Sequence, residues 1–255
     1  MRRGRNDAVG IVDNAKVRRD YEREMKAYFD DYSESYRDFL AASTGENLDS
    51  ASLFANQKVS HLSHSISNAS TIRAILDYGC GIGMSLRPLQ RAFPHAIITG
   101  VDPSTKSIEV AEREHSDCNI KMVLLNDLIL EDHTREFDLI FISCVFHHIE
   151  AQEHIEILRN LRNLCSPAGQ LAIFEHNPVN PVTRKIVHDC PFDEGVTLIS
   201  PRTLEHRLRT AGWHGLNRAF ISFVPPKFKR FKLLERFLRW CPLGGQYFIT
   251  ARPMH

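Results

Sequence analysis

Net charge is almost absent from this sequence: 32 Lys and Arg face 31 Asp and Glu over 255 residues. A chain so balanced has no broad phosphate-binding surface, so no nucleic-acid partner is expected. Paired cysteines are absent as well. Cys80, Cys118, Cys144, Cys165, Cys190 and Cys241 are scattered, which excludes a disulfide framework and a zinc ribbon and points to a reduced, cytoplasmic setting. No apolar run reaches the roughly 18 residues of a membrane span. The opening "MRRGRNDAVG" is basic but leads into no apolar core, so no secretory leader is expected. Internal repeats and low-complexity tracts are also missing.

What is present is an ordinary share of apolar residues, 43%, enough for a sizeable core. From Ala15 to Ala42, aromatic and charged residues recur at helical spacing, and a second helix is expected over Asn47 to Ser67. Then the period changes. Short apolar runs ("AILDYG", "AIITGVD", "IKMVLL", "FDLIFISCVF", "QLAIFEH") alternate with helical patterns near 84–93, 104–115, 150–165 and 201–211. Ser200-Pro201 supplies a start signal for the last helix. Two further strands are expected at 220–224 and 246–252. The alternation predicts an α/β fold: a Rossmann-like, doubly wound, mostly parallel seven-stranded sheet with helices on both faces. Residues 1–70 form an N-terminal helical segment or cap in this reading, and 71–255 the main domain.

The first strand runs into "DYGCGIG" at 77–83. In open parallel sheets, ligands bind beyond the carboxyl ends of the strands. Glycines at such a turn allow unusual backbone angles and close approach of a ligand. A dinucleotide needs G-x-G-x-x-G/A. Here the third glycine comes one residue early and Met84 stands where a small residue should be, so a nicotinamide oxidoreductase is disfavoured.

The acidic-x-G-x-G-x-G turn resembles the first motif of class I S-adenosylmethionine-dependent methyltransferases. The likeness continues through "GVDPS", with Asp102 25 residues after Asp77, and "LLNDL", with Asp127 a further 25 on. It extends over "FDLIFISCVFHHIE" and "LRNLCSPAGQLAIFEH", where Pro167-Ala168-Gly169 is read as a turn, and spans about 70 to 252. The resemblance implies S-adenosylmethionine as cofactor. Asp77 would receive the methionine ammonium, with Gly79, Cys80, Gly81 and Gly83 along the ligand. Asp102, followed by Pro103, would accept from both ribose hydroxyls. Asn126 or Asp127 would take the adenine amino group, with Leu128 against the ring. Ser143, Cys144 and Val145 would border the methionine arm.

Methyl transfer needs positioning and exclusion of water, and a base only where the acceptor must lose a proton. His147, His148 and His176 are the catalytic candidates, with Glu175 nearby. The [DN]-P-P-[YF] motif of exocyclic-amine methylation is missing after the fourth strand, where "SCVFHH" stands. The expected reaction is therefore methylation, most readily at oxygen, of a small-molecule or lipid-linked acceptor. A non-catalytic module that kept the fold, or methylation at nitrogen or carbon, are the alternatives.

Three segments lie outside the basic scaffold: the tyrosine-bearing 28–40, with Tyr28, Tyr32 and Tyr36 on one helical face; the connection 176–200, expected to hold a substrate-binding loop with a helix near 182–189; and 225–242. The last carries Lys229, Lys232, Arg236 and Arg239 opposite an apolar face. It reads as a lid helix or as a peripheral contact with the inner face of the membrane. His61 and His64, or the adjacent His147 and His148, have no carboxylate or cysteine partner at ligand spacing, so no metal is expected. Oligomeric state is not encoded in any of these patterns.

Overall fold

The computed structural model describes Asp30 and residues 49–66, 69–116, 120–130, 135–223 and 237–254. The expected helix over 15–42, including Tyr28, Tyr32 and Tyr36, lies outside the described residues apart from Asp30. The same holds for most of 225–242, including Lys229, Lys232 and Arg236.

Seven strands form one sheet: β1 (Ala74–Tyr78), β2 (Ile97–Asp102), β3 (Ile120–Leu124), β4 (Phe137–Ser143), β5 (Cys165–His176), β6 (Trp213–Ile221) and β7 (Gln246–Pro253). Their order is β3-β2-β1-β4-β5-β7-β6. The first five are parallel, and β7 runs antiparallel to both β5 and β6. The described helices are α1 (Asp49–Ser63), α2 (Leu86–Ala92), α3 (Thr105–Glu114), α4 (Leu125–Leu130), α5 (His154–Leu164), α6 (Pro181–Asp189) and α7 (Pro201–Thr210).

Strand residues alternate between two cores, as a period of two requires. Leu76, Tyr78, Ile140, Ile142, Leu171 and Ile173 pack with Leu158 and Leu161 of α5 and Leu204 and Leu208 of α7. Ile75, Leu139, Phe141, Ala172 and Phe174 face the other way, onto Val59 and Leu62 of α1 and Leu86 and Leu89 of α2. A sheet covered on both faces explains the near-continuous apolar strands. Helix starts follow sequence signals: the Ser104, Asn180 and Ser200 side chains each accept an N–H of the first turn, and Pro181 and Pro201 open α6 and α7.

Three expectations need correction. Pro167-Ala168-Gly169 is not a turn before β5 but an irregularity within it: pairing with β4 shifts between Phe137↔Cys165 and Leu139↔Gln170. Strand β6 starts at Trp213, seven residues before the expected 220, because Trp213 is fully buried and its indole N–H donates to Leu158 O. And β4 ends at Ser143, not Phe146, because Cys144 turns the chain at φ 59°.

Candidate active site

Asp77, the glycine turn, Asp102, Ser143, Cys144, His147, His148 and His176 lie at or just beyond the carboxyl ends of β1, β2, β4 and β5. The glycine turn is tied to β2, since the N–H groups of Gly79 and Cys80 both donate to Val101 O. At Gly79, φ is 73° and an added Cβ would stand 2.5 Å from Val145 Cγ2, so only glycine lets the turn pass beneath β4's exit. Gly81 has φ 52°, but a Cβ there would meet nothing within 4 Å. Its backbone borders open space, which suits close approach of a ligand.

Two carboxylates stand on either side of that space. Asp102 is buried; Oδ2 accepts from Gly81 N at 2.9 Å and Oδ1 from Ser104 N at 2.9 Å. A carboxylate has about four lone-pair sites, so acceptor capacity for two hydroxyls remains. Burial raises its pKa to about 6 against the lowering by those two N–H groups. Asp77 is only 2% exposed, and its Oδ2 has no hydrogen-bond partner among the described residues. Burial, then repulsion from Asp102, push Asp77 up to about 8, while Lys58 pulls the other way. An orphaned, desolvated acid is costly unless something cationic or donating arrives. The donor set thus fits a ligand with an ammonium at one end and a diol at the other.

Lys58 was not foreseen. It occupies the apolar stripe of α1 with Ala55, Val59 and Leu62, and is itself buried. A lysine within a core-facing stripe was the available signal. Its ammonium donates to Ser143 Oγ at 2.8 Å and to Cys144 Sγ at 3.2 Å. Burial would raise the Cys144 thiol, but Lys58 and His176 outweigh it and bring the pKa down to about 6. Gln246 Nε2 also donates to Cys144 Sγ. Asp30, the described residue of the 28–40 segment, accepts from Ser104 Oγ at 2.6 Å and Lys106 N at 3.1 Å. Asp30 therefore reaches the Asp102 corner.

The β4 exit is built around Glu175. This fully buried carboxylate accepts from Val145 N and Phe146 N through Oε1 and from His147 Nδ1 at 2.6 Å through Oε2. Burial alone would depress His147; Glu175 and Asp193 instead lift it to about 10. Burial and the neighbouring His147 push His148 down to about 3. The His176 ring stands 5.2 Å from that of His147, edge to face. The expected trio is thus brought together.

Other expected residues are more dispersed. Asn126 and Asp127 sit exposed at the start of α4, while Leu128 is buried within the core. Pro103 and Val145 are half-buried at the rim, and Cys80 is buried. The long connection after β5 is fixed by Asn177, whose Nδ2 donates to Pro242 O and Gly244 O, and by Asn180 Nδ2 to Leu243 O. These bonds tie the start of the connection after β5 to residues 242–244, just before β7.

This sheet order, with the glycine turn and paired acids at its carboxyl edge, defines the class I S-adenosylmethionine-dependent methyltransferase fold. Residues 76–171, from β1 into β5, match the family described as "Methyltransferase domain". Over 106 residues the chain is 33% identical to demethylmenaquinone methyltransferase of Thermotoga maritima, covering 42% of this chain and 44% of that protein. Over 110 residues it is 32% identical to malonyl-[acyl-carrier protein] O-methyltransferase of Halalkalibacterium halodurans, covering 42% and 40%. The match thus spans less than half the length of these relatives. Among solved structures, a SAM-dependent methyltransferase of Thermotoga maritima superposes with TM-score 0.63 at 14% identity, over 89% of this chain and 99% of that one. Human N-acetylserotonin methyltransferase in complex with SAM gives 0.58 at 15%, over 78% and 52%. Among the described residues, no helix is long and apolar enough to cross a membrane.

Proposed function

We propose that the chain transfers a methyl group from S-adenosylmethionine to an oxygen of a small-molecule or lipid-linked acceptor. The observation that carries the cofactor half is the buried Asp77, orphaned at Oδ2 and set between Asp102 and Lys58. Asp77 would take the ammonium of the methionine part, Lys58 its carboxylate, and Asp102 the ribose diol. Gly79, Cys80, Gly81 and Gly83 would pack along the ligand, with Ser143, Cys144 and Val145 at the methionine arm. Pro103 would border the ribose, and Asn126, Asp127 and Leu128 the adenine. When bound, S-adenosylmethionine supplies a methyl already activated by a positive sulfur. What remains for the protein is positioning, exclusion of water and handling of one proton.

The histidine group supports acceptance at oxygen. A useful base has a pKa near the working pH. His147 is held too high by its two carboxylates and His148 too low by burial. Those two line the acceptor side, and His176, which ends β5 with its ring 5.2 Å from that of His147, is the residue placed to take a hydroxyl proton. Relatives bearing similar sequence include enzymes named for a quinone precursor, an acyl-carrier-protein thioester acid and trans-aconitate, which is consistent with a metabolite acceptor.

The test is transfer of labelled methyl to a panel of hydroxyl, carboxyl and amine metabolites and their polyprenyl-linked counterparts. Base-stable labelled ether, or base-labile ester releasing methanol, is expected. Label confined to amines would overturn the oxygen assignment. Cofactor binding with no transfer to any acceptor would favour a regulatory module.

A further inference from the structure

Asp193 is 46 residues from His147 in the chain, yet Oδ1 lies 3.3 Å from His147 Nε2 and 3.4 Å from His148 Nε2. All three ligand atoms lie within 4.8 Å of one another. We propose that His147, His148 and Asp193 form a divalent transition-metal site, best suited to zinc, at the acceptor mouth.

Distances carry the argument. A charged N–H···O bond in this protein is short where it is well made: His147 Nδ1 to Glu175 is 2.6 Å. The two contacts to Asp193 are longer than the usual range of such bonds. They do match the edge of a coordination tetrahedron, about 3.3 Å for metal–ligand bonds of about 2.05 Å. Two imidazoles and one carboxylate are a recurrent catalytic donor set, three protein ligands leaving a position open.

The outer shell is also in place. Metal-binding histidines commonly donate their second N–H to a carboxylate, which fixes the tautomer and leaves the other nitrogen to the ion. Glu175 does this to His147 Nδ1, and is itself fixed by the N–H groups of Val145 and Phe146. Asp193 is held on a short 3-10 turn, Pro191–Asp193, anchored by the buried Phe192. His147 is 1% exposed at its side chain, His148 14% and Asp193 12%, so the cluster is largely shielded from solvent.

One positive charge has to stand between His147 Nε2 and the Asp193 carboxylate. A proton on the imidazole does this without metal; a bound ion does it with coordination to spare. Three protein ligands leave a coordination position free, at which the ion would hold and polarise an acceptor oxygen. That last role rests on the proposed methyl transfer; binding of the ion does not.

Equilibrium dialysis of the full chain against zinc, with metal counted by mass spectrometry, decides the matter. One zinc per chain is expected at low micromolar concentration. Asp193→Ala and His148→Ala should each weaken binding at least tenfold while circular dichroism stays unchanged. Cobalt in place of zinc should give visible bands that both substitutions remove. No stoichiometric metal, or metal retained equally by both variants, would overturn the site. Should one variant fail to fold, the other and Asp193→Asn carry the same comparison. S-adenosylhomocysteine titration runs separately, so loss of the methyltransferase reading leaves zinc binding to stand or fall alone.

Discussion

Lys58 of α1 and Cys144 at the end of β4 form a buried ion-pair-like contact of 3.2 Å across 86 residues of chain. The helix before the sheet thus supplies a cation to the site. Cys144 also takes a left-handed backbone, φ 59°, which non-glycine residues adopt rarely. It does so where β4 must stop and release its loop toward the ligand.

This contact predicts an unusual thiol. Alkylation of the Cys144 peptide by iodoacetamide, followed by mass spectrometry, should rise with pH through a midpoint near 6, since the thiolate is the nucleophile. Lys58→Met should move that midpoint up by at least one pH unit. Bound S-adenosylhomocysteine should protect the thiol. A midpoint above 8 in the unmodified chain would remove the Lys58 effect.

Asp77 should cost stability in the ligand-free protein. Its folded pKa, about 8, is above the unfolded value of about 3.8. The folded state then binds more protons, so stability falls as pH rises between those values. Asp77→Asn should stabilise the ligand-free chain at pH 7–8 by about 1–3 kcal/mol, seen as a higher melting temperature, with the gain shrinking toward pH 4. The same variant should lose cofactor affinity. Lower melting temperature at pH 8 would contradict the account.

Glu175 holds the β4 exit. Removing it strands the N–H groups of Val145 and Phe146 and the His147 ring. Glu175→Ala should cost about 3–5 kcal/mol, the range for breaking a buried pair, read by urea unfolding. Burial alone would raise the Glu175 pKa, but His147 and the N–H donors hold it below the ordinary value. This contribution is therefore complete at neutral pH and lost as pH falls through the carboxylate range.

The proposed lipid contact has a simple optical test. The chain has two tryptophans. Trp213 is buried, whereas Trp240 is 78% exposed beside the exposed Phe237. Anionic vesicles should shift Trp240 emission to the blue, and Trp240→Phe should abolish the shift. Unchanged emission would assign these side chains to another role.

Much of this arrangement was legible in the sequence, for physical reasons. Continuous apolar strands encode the sheet through local patterns, and glycines at the first turn and aspartates at equal spacing mark the carboxyl ends of β1 and β2 and the helix after β3. Ser200-Pro201 and Asn180-Pro181 encode helix starts directly. The meeting of Lys58 with Cys144, and of Asp193 with His147 and His148, depends on how separate segments pack. Sequence spacing carries no measure of that. The β6 start was missed because His214, Gly215 and Asn217 weaken the apolar alternation, while burial of Trp213 is decided by α5. Asn177 lies in the connection after β5, yet it is buried, because it bonds the backbone at Pro242 and Gly244 far along the chain.

The most direct measurement is calorimetric titration with S-adenosylhomocysteine. The unmodified chain should bind at micromolar concentration, and Asp102→Ala should weaken binding at least tenfold with circular dichroism unchanged. No binding by the unmodified chain, or equal affinity in the variant, would contradict a cofactor held between Asp77 and Asp102.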